Sequence, residues 1–466
     1  DVRVFGTNPL VAPLLRLNPF AFPAGVHVLE HLDRLVEVFN VCWPMYAAMP
    51  AVLKEAVERS YEDCGWDLTE STNDYGEGLY PSFSDVARNV REILDTSEYD
   101  AENKGAYKGA LLTRLRSLTN GINGMVFAGV GLDDAELFEG RVIVDLSRVG
   151  SSETKSLLMG VLVLKLREYL MSSFPVANEG LRHLTVLEEA HNLLRRVSTE
   201  QPAEGANLLG KSVEMLTNAI AEMRAYGEGF VVVDQAPGLL DLAAIRNTNT
   251  KIIMRLPDED DRQLVGRSAN LNDRQIKELA RLPQGVAAVY QNEWVEPVLC
   301  KVERFEAPSV PYAYVRPEVP DPSGKREDAL LIAELLSGGR AIFSPERLKD
   351  LRKRLDALGV EAFVQVLILR FLQAPPAEPR MTRLGPVMSA LFPDVRRAVV
   401  SSHRESAFDM SAWTRAASEC LAQEAQTTLA EQVRRDIIQA IVTDYLYNEL
   451  HDENALREWS IKGGLA

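Results

Sequence analysis

Two adjacent carboxylates, Glu188 and Glu189, close the apolar run LTVL within HLTVLEEAHNLL, residues 183–194. A short aliphatic, β-branched run of this kind has the composition of a buried strand, and no turn signal separates it from the acids. The pair therefore falls at a strand's carboxyl end, outside which ligands bind in open α/β sheets. Two acids there can divide the work of phosphoryl transfer, Glu188 holding Mg2+ while Glu189 orients or deprotonates a water. The structural alternative is a helix beginning at Glu189, whose N-terminus favours acidic side chains. It accounts for one acid more readily than for two.

Such chemistry also needs a phosphate cradle. The stretch GANLLGKS, Gly205 to Ser212, matches G-x-x-x-x-G-K-[ST] letter for letter. Its context does not fit: the preceding RRVSTEQPAE is polar and turn-like rather than a strand, and the stretch follows the acids instead of preceding them. Lys211 is accordingly expected on a solvated loop. A second stretch, RVGSSETKS at 148–156, does follow a strand-like run but lacks the second glycine. The chain opens on Asp1 rather than Met, so a cradle is expected upstream of Asp1, and the chain by itself is expected to hydrolyse ATP poorly.

The elements that must position these residues follow from periodicity. From about 140 to 302, strand-like and helix-like segments alternate: RVIVDL, a helix over 151–173, LTVL, a helix from Glu189, a longer helix ending near Tyr226, then GFVVVD, KIIMRL, VAAVY and WVEPVLCKV. Alternation at this spacing predicts an α/β fold with a mostly parallel sheet covered by helices. Residues 26–120 read as helices (VLEHLDRLVEVFNVCW, PAVLKEAVERSYEDCGW, FSDVARNVREIL, YKGALLTRLRSLTNGI) and are expected as a helical insertion in a core spanning 1–306. Residues 307–324 form a proline-rich linker, and 325–466 are expected as an all-helical domain, with amphipathic segments such as EAFVQVLILRFL.

Bulk properties exclude several classes. A length of 466 residues exceeds what one core usually supports. A formal net charge of -16 argues against coating nucleic acid by bulk electrostatics, while leaving room for a local basic channel. Cys42, Cys64, Cys300 and Cys420 lie far apart with no C-x-x-C spacing, which indicates neither a zinc module nor a disulfide framework and fits a reducing cytoplasm. The most apolar helical stretch, LLMGVLVLKLREYL, is interrupted by Lys165 and Arg167 and is too short to span a bilayer, so no membrane partner is expected.

As a set, RLNPF (16–20), VIVDLSRVGSSETKSLLMG (142–160), LTVLEEAHNLL (184–194), EMRAYGEGFVVVDQAP (222–237) and IRNTNTKIIMRLPDEDD (245–261) resemble the HerA-like branch of the HerA/FtsK superfamily of ring-forming, DNA-pumping ATPases. The resemblance covers roughly residues 1–305. It implies a RecA-like sheet, ATP and Mg2+ as ligands, a hexameric homo-oligomer with DNA in its central channel, and a nuclease or other effector as partner. Carried onto this sequence, it gives Glu188 the metal-associated acid's place, where many members have Asp, which favours a water-mediated contact with Mg2+. Glu189 takes the place of the water-activating glutamate. Arg224 matches the arginine supplied to the neighbouring subunit's γ-phosphate, and Gln235 the polar sensor, although Ala236 replaces its usual arginine.

These roles suit the side chains: Gln can bond both a γ-phosphate oxygen and the attacking water, and Arg's planar fork neutralises charge developing on phosphate. Each residue also has an ordinary reading, Gln235 as a strand-end cap and Arg224 as a partner of Glu222 or Glu228. Asp145 and Arg255, also at strand ends, are weaker candidates that more often pair structurally. Two rival functions remain. Glu188 and His191 form a Glu-x-x-His, the ligand pattern of di-iron bundles, but no second copy exists to complete such a site. A ring-forming scaffold whose helical tail docks an effector, with nucleotide turnover subsidiary or absent, fits the same segments.

Overall fold

Strand β1 (Val2–Gly6) is followed by helices α1 (Val28–Cys42) and α2 (Met49–Asp63), a short hairpin of β2 (Trp66–Asp67) and β3 (Thr72–Asn73), and helices α3 (Phe83–Thr96), α4 (Ala101–Thr119), α5 (Gly121–Val126) and α6 (Asp134–Phe138). Then come β4 (Arg141–Asp145), α7 (Ser152–Ser173), β5 (His183–Glu188), α8 (Ala203–Glu222), β6 (Glu228–Val233), α9 (Leu242–Asn247), β7 (Thr250–Ile253), α10 (Glu259–Ser268), α11 (Asp273–Glu278), β8 (Val286–Gln291) and β9 (Val298–Lys301). The remainder is helical, from α12 (Ser323–Ser337) through α13 (Pro345–Leu358), α14 (Ala362–Gln373), α15 (Met381–Leu391), α16 (Pro393–Glu405), α17 (Met410–Glu424) and α18 (Glu431–Thr443) to α19 (Glu453–Lys462). This computed structural model describes all residues except 1, 44, 175–179, 197–202, 307–311, 317–322, 339–344, 374–380, 407–408, 425–428 and 463–466, and excepting the side chains of 203–212, 323, 345 and 424. Most of the proline-rich segment 307–324 lies outside the described residues.

Two compact units divide the chain: Asp1–Glu58 with Val86–Arg316, and Arg59–Asp85 with Pro317–Ala466. In the first, β1 and β4 pair in parallel from Val2↔Arg141 to Gly6↔Asp145, and β5 and β6 pair in parallel from His183↔Glu228 to Glu188↔Val233. The third ladder, β7–β8–β9, is antiparallel throughout. A mostly parallel sheet therefore overstates the parallel share. Residues 292–297 between β8 and β9 are too few for the crossover that parallel pairing requires.

Helices α1 and α7 form the centre of this unit. The stripe Val28, Leu32, Leu35 and Phe39 on α1 is buried, and α1 packs on both α7 and α8. Helix α7 starts at Ser151, whose hydroxyl accepts a hydrogen bond from the Thr154 amide at 3.3 Å. It buries residues around much of its circumference, including Lys165 and Glu168. Burial of charge requires partners: Lys165 meets Asp134 at 2.9 Å and the Ala21 carbonyl at 3.2 Å, and Glu168 accepts from His31 of α1 at 2.9 Å. Gly160 brings α7 close to its neighbours, because a Cβ there would lie 2.7 Å from Val38 Cγ1.

In the second unit, α12–α19 share one core that includes Leu355, Ile368, Met388, Val395, Trp413 and Ile437. Among its polar ties, Trp413 donates to the Ser406 carbonyl at 3.0 Å, and Arg352 donates to the Tyr75 carbonyl at 2.7 Å.

Candidate active site at the strand ends

The acids stand where the sequence places them, Glu188 as the last residue of β5 and Glu189 immediately beyond. The strand itself is less enclosed than LTVL predicts: Leu187 is buried, whereas Leu184 and Val186 are 55% and 56% exposed on one face. Nor does a helix begin at Glu189. Its backbone is left-handed, φ 52° and ψ 47°, a conformation that costs a non-glycine residue roughly 1–2 kcal/mol and cannot start a right-handed helix. Only the 3-10 turn Ala190–Asn192 follows. The left-handed residue turns the chain sharply away from the strand and leaves the Glu189 side chain half-exposed at its end.

Gln235 lies on the neighbouring strand's extension, two residues past β6, and its amide donates to Glu189 Oε1 at 3.1 Å. Parallel pairing accounts for this meeting, since the register Glu188↔Val233 brings both carboxyl ends to one level. Asp234, between the strand and Gln235, ties the two ends together. Its side chain is 3% exposed and accepts from the His191 amide at 2.8 Å, the His191 Nδ1 at 2.9 Å and the Ala236 amide at 2.9 Å. His191 Nδ1 is also 3.7 Å from Glu189 Oε2. Beyond these groups, the Asp241 amide donates to the Leu194 carbonyl and the Arg196 amide to the Leu239 carbonyl. Sequence reasoning passed over Asp234 and treated His191 only as a metal ligand; the one signal for the link was an acid closing GFVVVD beside the other strand's acids.

Arg224 is not brought to this cluster. It is exposed on the 3-10 turn Met223–Tyr226 ahead of β6, at the opposite end of a six-residue strand and therefore about 20 Å from Gln235 along the strand axis. Neither ordinary partner holds it: Glu222 pairs with Arg167 at 2.8 Å, and Glu228 with His183 at 2.6 Å. Gly227 closes that turn at φ 85°, where a Cβ would lie 2.6 Å from the Gly180 carbonyl.

Glu188 is exposed, and its carboxylate has no hydrogen-bond partner among the described residues. A lone carboxylate at a strand end suits Mg2+, which keeps several waters and takes its other ligands from substrate phosphates. No cluster of three or more His, Cys, Asp or Glu side chains able to hold a metal occurs among the described residues. Asp145 closes β4 and accepts from the Ser147 amide at 2.9 Å; bonds from Ser147 hold its carboxyl below the ordinary value. Arg255 is exposed beyond β7. The letters GANLLGKS lie inside α8, so Lys211 is on a helix and not on the expected loop. Beyond its first turn a helical backbone commits its N–H groups to intrahelical carbonyls, so most of this stretch, Lys211 included, cannot wrap a phosphate as a loop does.

With this geometry in view, the chain compares with known proteins as follows. No family model matches it. Over 300 residues it is 24% identical to the DNA double-strand break repair helicase HerA of Sulfolobus acidocaldarius, a match covering 62% of this chain and 54% of that protein. The DNA double-strand break repair helicase HerA of Sulfurisphaera tokodaii is 27% identical over 143 residues, 30% of this chain and 26% of that relative. The match thus spans about half the length of the first relative and about a quarter of the second. VirB4 of Thermoanaerobacter pseudethanolicus superposes with a TM-score of 0.45 at 16% identity, over 65% of this chain and 76% of its own. Among the described residues, no helix is long and apolar enough to cross a membrane.

Proposed function

We propose that this chain is the core of a HerA-type motor, an ATP-driven DNA translocase or helicase that works as a hexameric ring in the cytoplasm and is coupled to a nuclease or another effector. The observation that carries this reading is the contact between Gln235 and Glu189 at adjacent carboxyl ends of parallel strands, in a chain similar to proteins named repair helicases. In this reading β1, β4, β5 and β6 belong to one RecA-like layer, residues 1–306 form the ATPase core, and residues 325–466 form a helical domain that meets the effector.

Glu189 then removes a proton from a water as the water's oxygen bonds to the γ-phosphorus and the bridging β–γ bond breaks. Gln235 holds Glu189 and the water in line. Glu188 contributes one carboxylate to the Mg2+ environment, directly or through water. Arg224, exposed and distant from its own chain's Glu189, serves the neighbouring subunit's γ-phosphate. A net charge of -16 does not oppose DNA binding in a ring, because a few Lys or Arg per subunit are multiplied by symmetry in the channel.

Subunit mixing with full-length protein tests the proposal. Rings of Arg224→Ala and rings of Glu189→Gln should each bind ATP and fail to hydrolyse it. Dissociated and reassembled together they should regain partial activity, because some interfaces then pair an intact arginine with an intact glutamate. Full ATPase activity from a monomer would remove both the trans arginine and the ring.

A further inference from the structure

A cavity of about 250 Å3 opens where the carboxyl ends of β1 and β4 meet the start of α7, with α5 on its other side. It shares no residue with the acidic pair or with Gln235. One wall is polar and comes from three separate places: Thr7 and Asn8 after β1, Arg148 and Ser151 before α7, and Thr154 in its first turn. Two of these side chains point to a ligand. Thr7 and Thr154 are only 8% and 7% exposed, both line the cavity, and neither hydroxyl has a hydrogen-bond partner among the described residues. The two residues lie on different elements and line the same space, which leaves their hydroxyls open to a ligand there.

The charge there is positive. Helix α7 has 22 residues, and its first turn presents amide N–H groups that lack intrahelical acceptors, the Thr154 amide being taken by the Ser151 cap. Arg148 is exposed at the mouth, makes no ion pair within 4 Å among the described residues, and lies near enough to Asp145 to help hold that carboxyl below its ordinary value. Asp145 accepts from the Ser147 amide at 2.9 Å, and Glu153 faces Arg114 at 3.7 Å. Ile122 and Val149 supply an apolar side.

We propose that this cavity binds a phosphoryl group, the helix amides and Arg148 taking its charged oxygens and the two buried hydroxyls donating to it. The segment RVGSSETKS is thus a phosphate site of its own, with no part in the chemistry at Glu189. The apolar side leaves room for an organic substituent on the phosphate.

Titration of the full-length protein with inorganic phosphate and with phenyl phosphate, followed by calorimetry or 31P NMR, tests this. Saturable binding of either probe supports the site, and it should weaken about ten-fold in Arg148→Gln and about five-fold in Thr7→Val. Tighter binding of phenyl phosphate assigns the site to organic phosphates, and equal binding assigns it to the free ion. Because Thr7 is buried, circular dichroism must show its variant folded, and exposed Arg148 supplies a variant that leaves the core untouched. Glu189→Gln should leave phosphate binding unchanged. Absence of saturable binding, affinity indifferent to Arg148→Gln, or affinity lost with Glu189→Gln would each overturn the proposal.

Discussion

Replacing Asp234 with Asn keeps the shape of the side chain and changes one oxygen into an NH2 group. In the native site Oδ2 accepts from the His191 amide and imidazole, and Oδ1 accepts from the Ala236 amide. Whichever way the Asn amide turns, its NH2 faces at least one N–H, so one or two bonds are lost and a donor is set against a donor. Bonds to a carboxylate are worth about 1.5–3 kcal/mol each, and the site is 3% exposed at Asp234, so water replaces little of the loss. An unfolding free energy lower by about 2–4 kcal/mol is expected for Asp234→Asn. The left-handed Glu189 turn, itself strained by roughly 1–2 kcal/mol, then loses its anchor, and the 3.1 Å contact with Gln235 loosens. Hydrogen exchange should show the His191 and Ala236 amides losing protection in the variant while α7 keeps its own. Hydrolysis by the full-length protein should fall about ten-fold or more, since misplacing a reacting group by an ångström costs that much. Unchanged protection at both amides, with stability within about 0.5 kcal/mol of the parent, would refute the idea that Asp234 holds the two strand ends together.

Gly160→Ala should lower stability by about 1–3 kcal/mol despite alanine's better helix propensity, because the new methyl meets Val38 at 2.7 Å; a rise in melting temperature would contradict the packing described. Burial pushes the Cys42 thiol up to about 12, against a smaller opposing bond with Ser156. In the folded protein Cys42 should therefore resist alkylation at pH 8, by mass spectrometry, and label only on unfolding. As an acid whose folded value is raised, it leaves stability unaffected below its ordinary value of 9.0 and weakens it as pH climbs from there toward 12.

The site was legible in the sequence wherever its logic was local. An apolar run ending in two acids can be read within a few residues, and β5 with Glu188 at its end followed from it. Helix α7 was equally plain, its serine cap and apolar length matching the expected 151–173 almost to the residue. What could not be read was whatever depends on pairing between distant segments. Strand β1 went unnoticed because VRVFG is short and is fixed by its ladder with β4, far along the chain. The Asp234–His191 link joins residues 43 apart and exists only because β5 and β6 are in register. GANLLGKS shows the converse: a motif defined by letters has no phosphate geometry once its backbone is helical.

In the proposed motor Glu189 activates the water. The most direct test of this role is steady-state ATP hydrolysis by full-length Glu189→Gln, measured beside equilibrium binding of ATP. Glutamine keeps the size of the side chain and its contact distance to Gln235 but cannot accept the water's proton. The account predicts nearly unchanged affinity with turnover reduced by about two or more orders of magnitude, the scale of losing a positioned general base. Turnover equal to the parent's, with the variant folded and ATP bound, would contradict it.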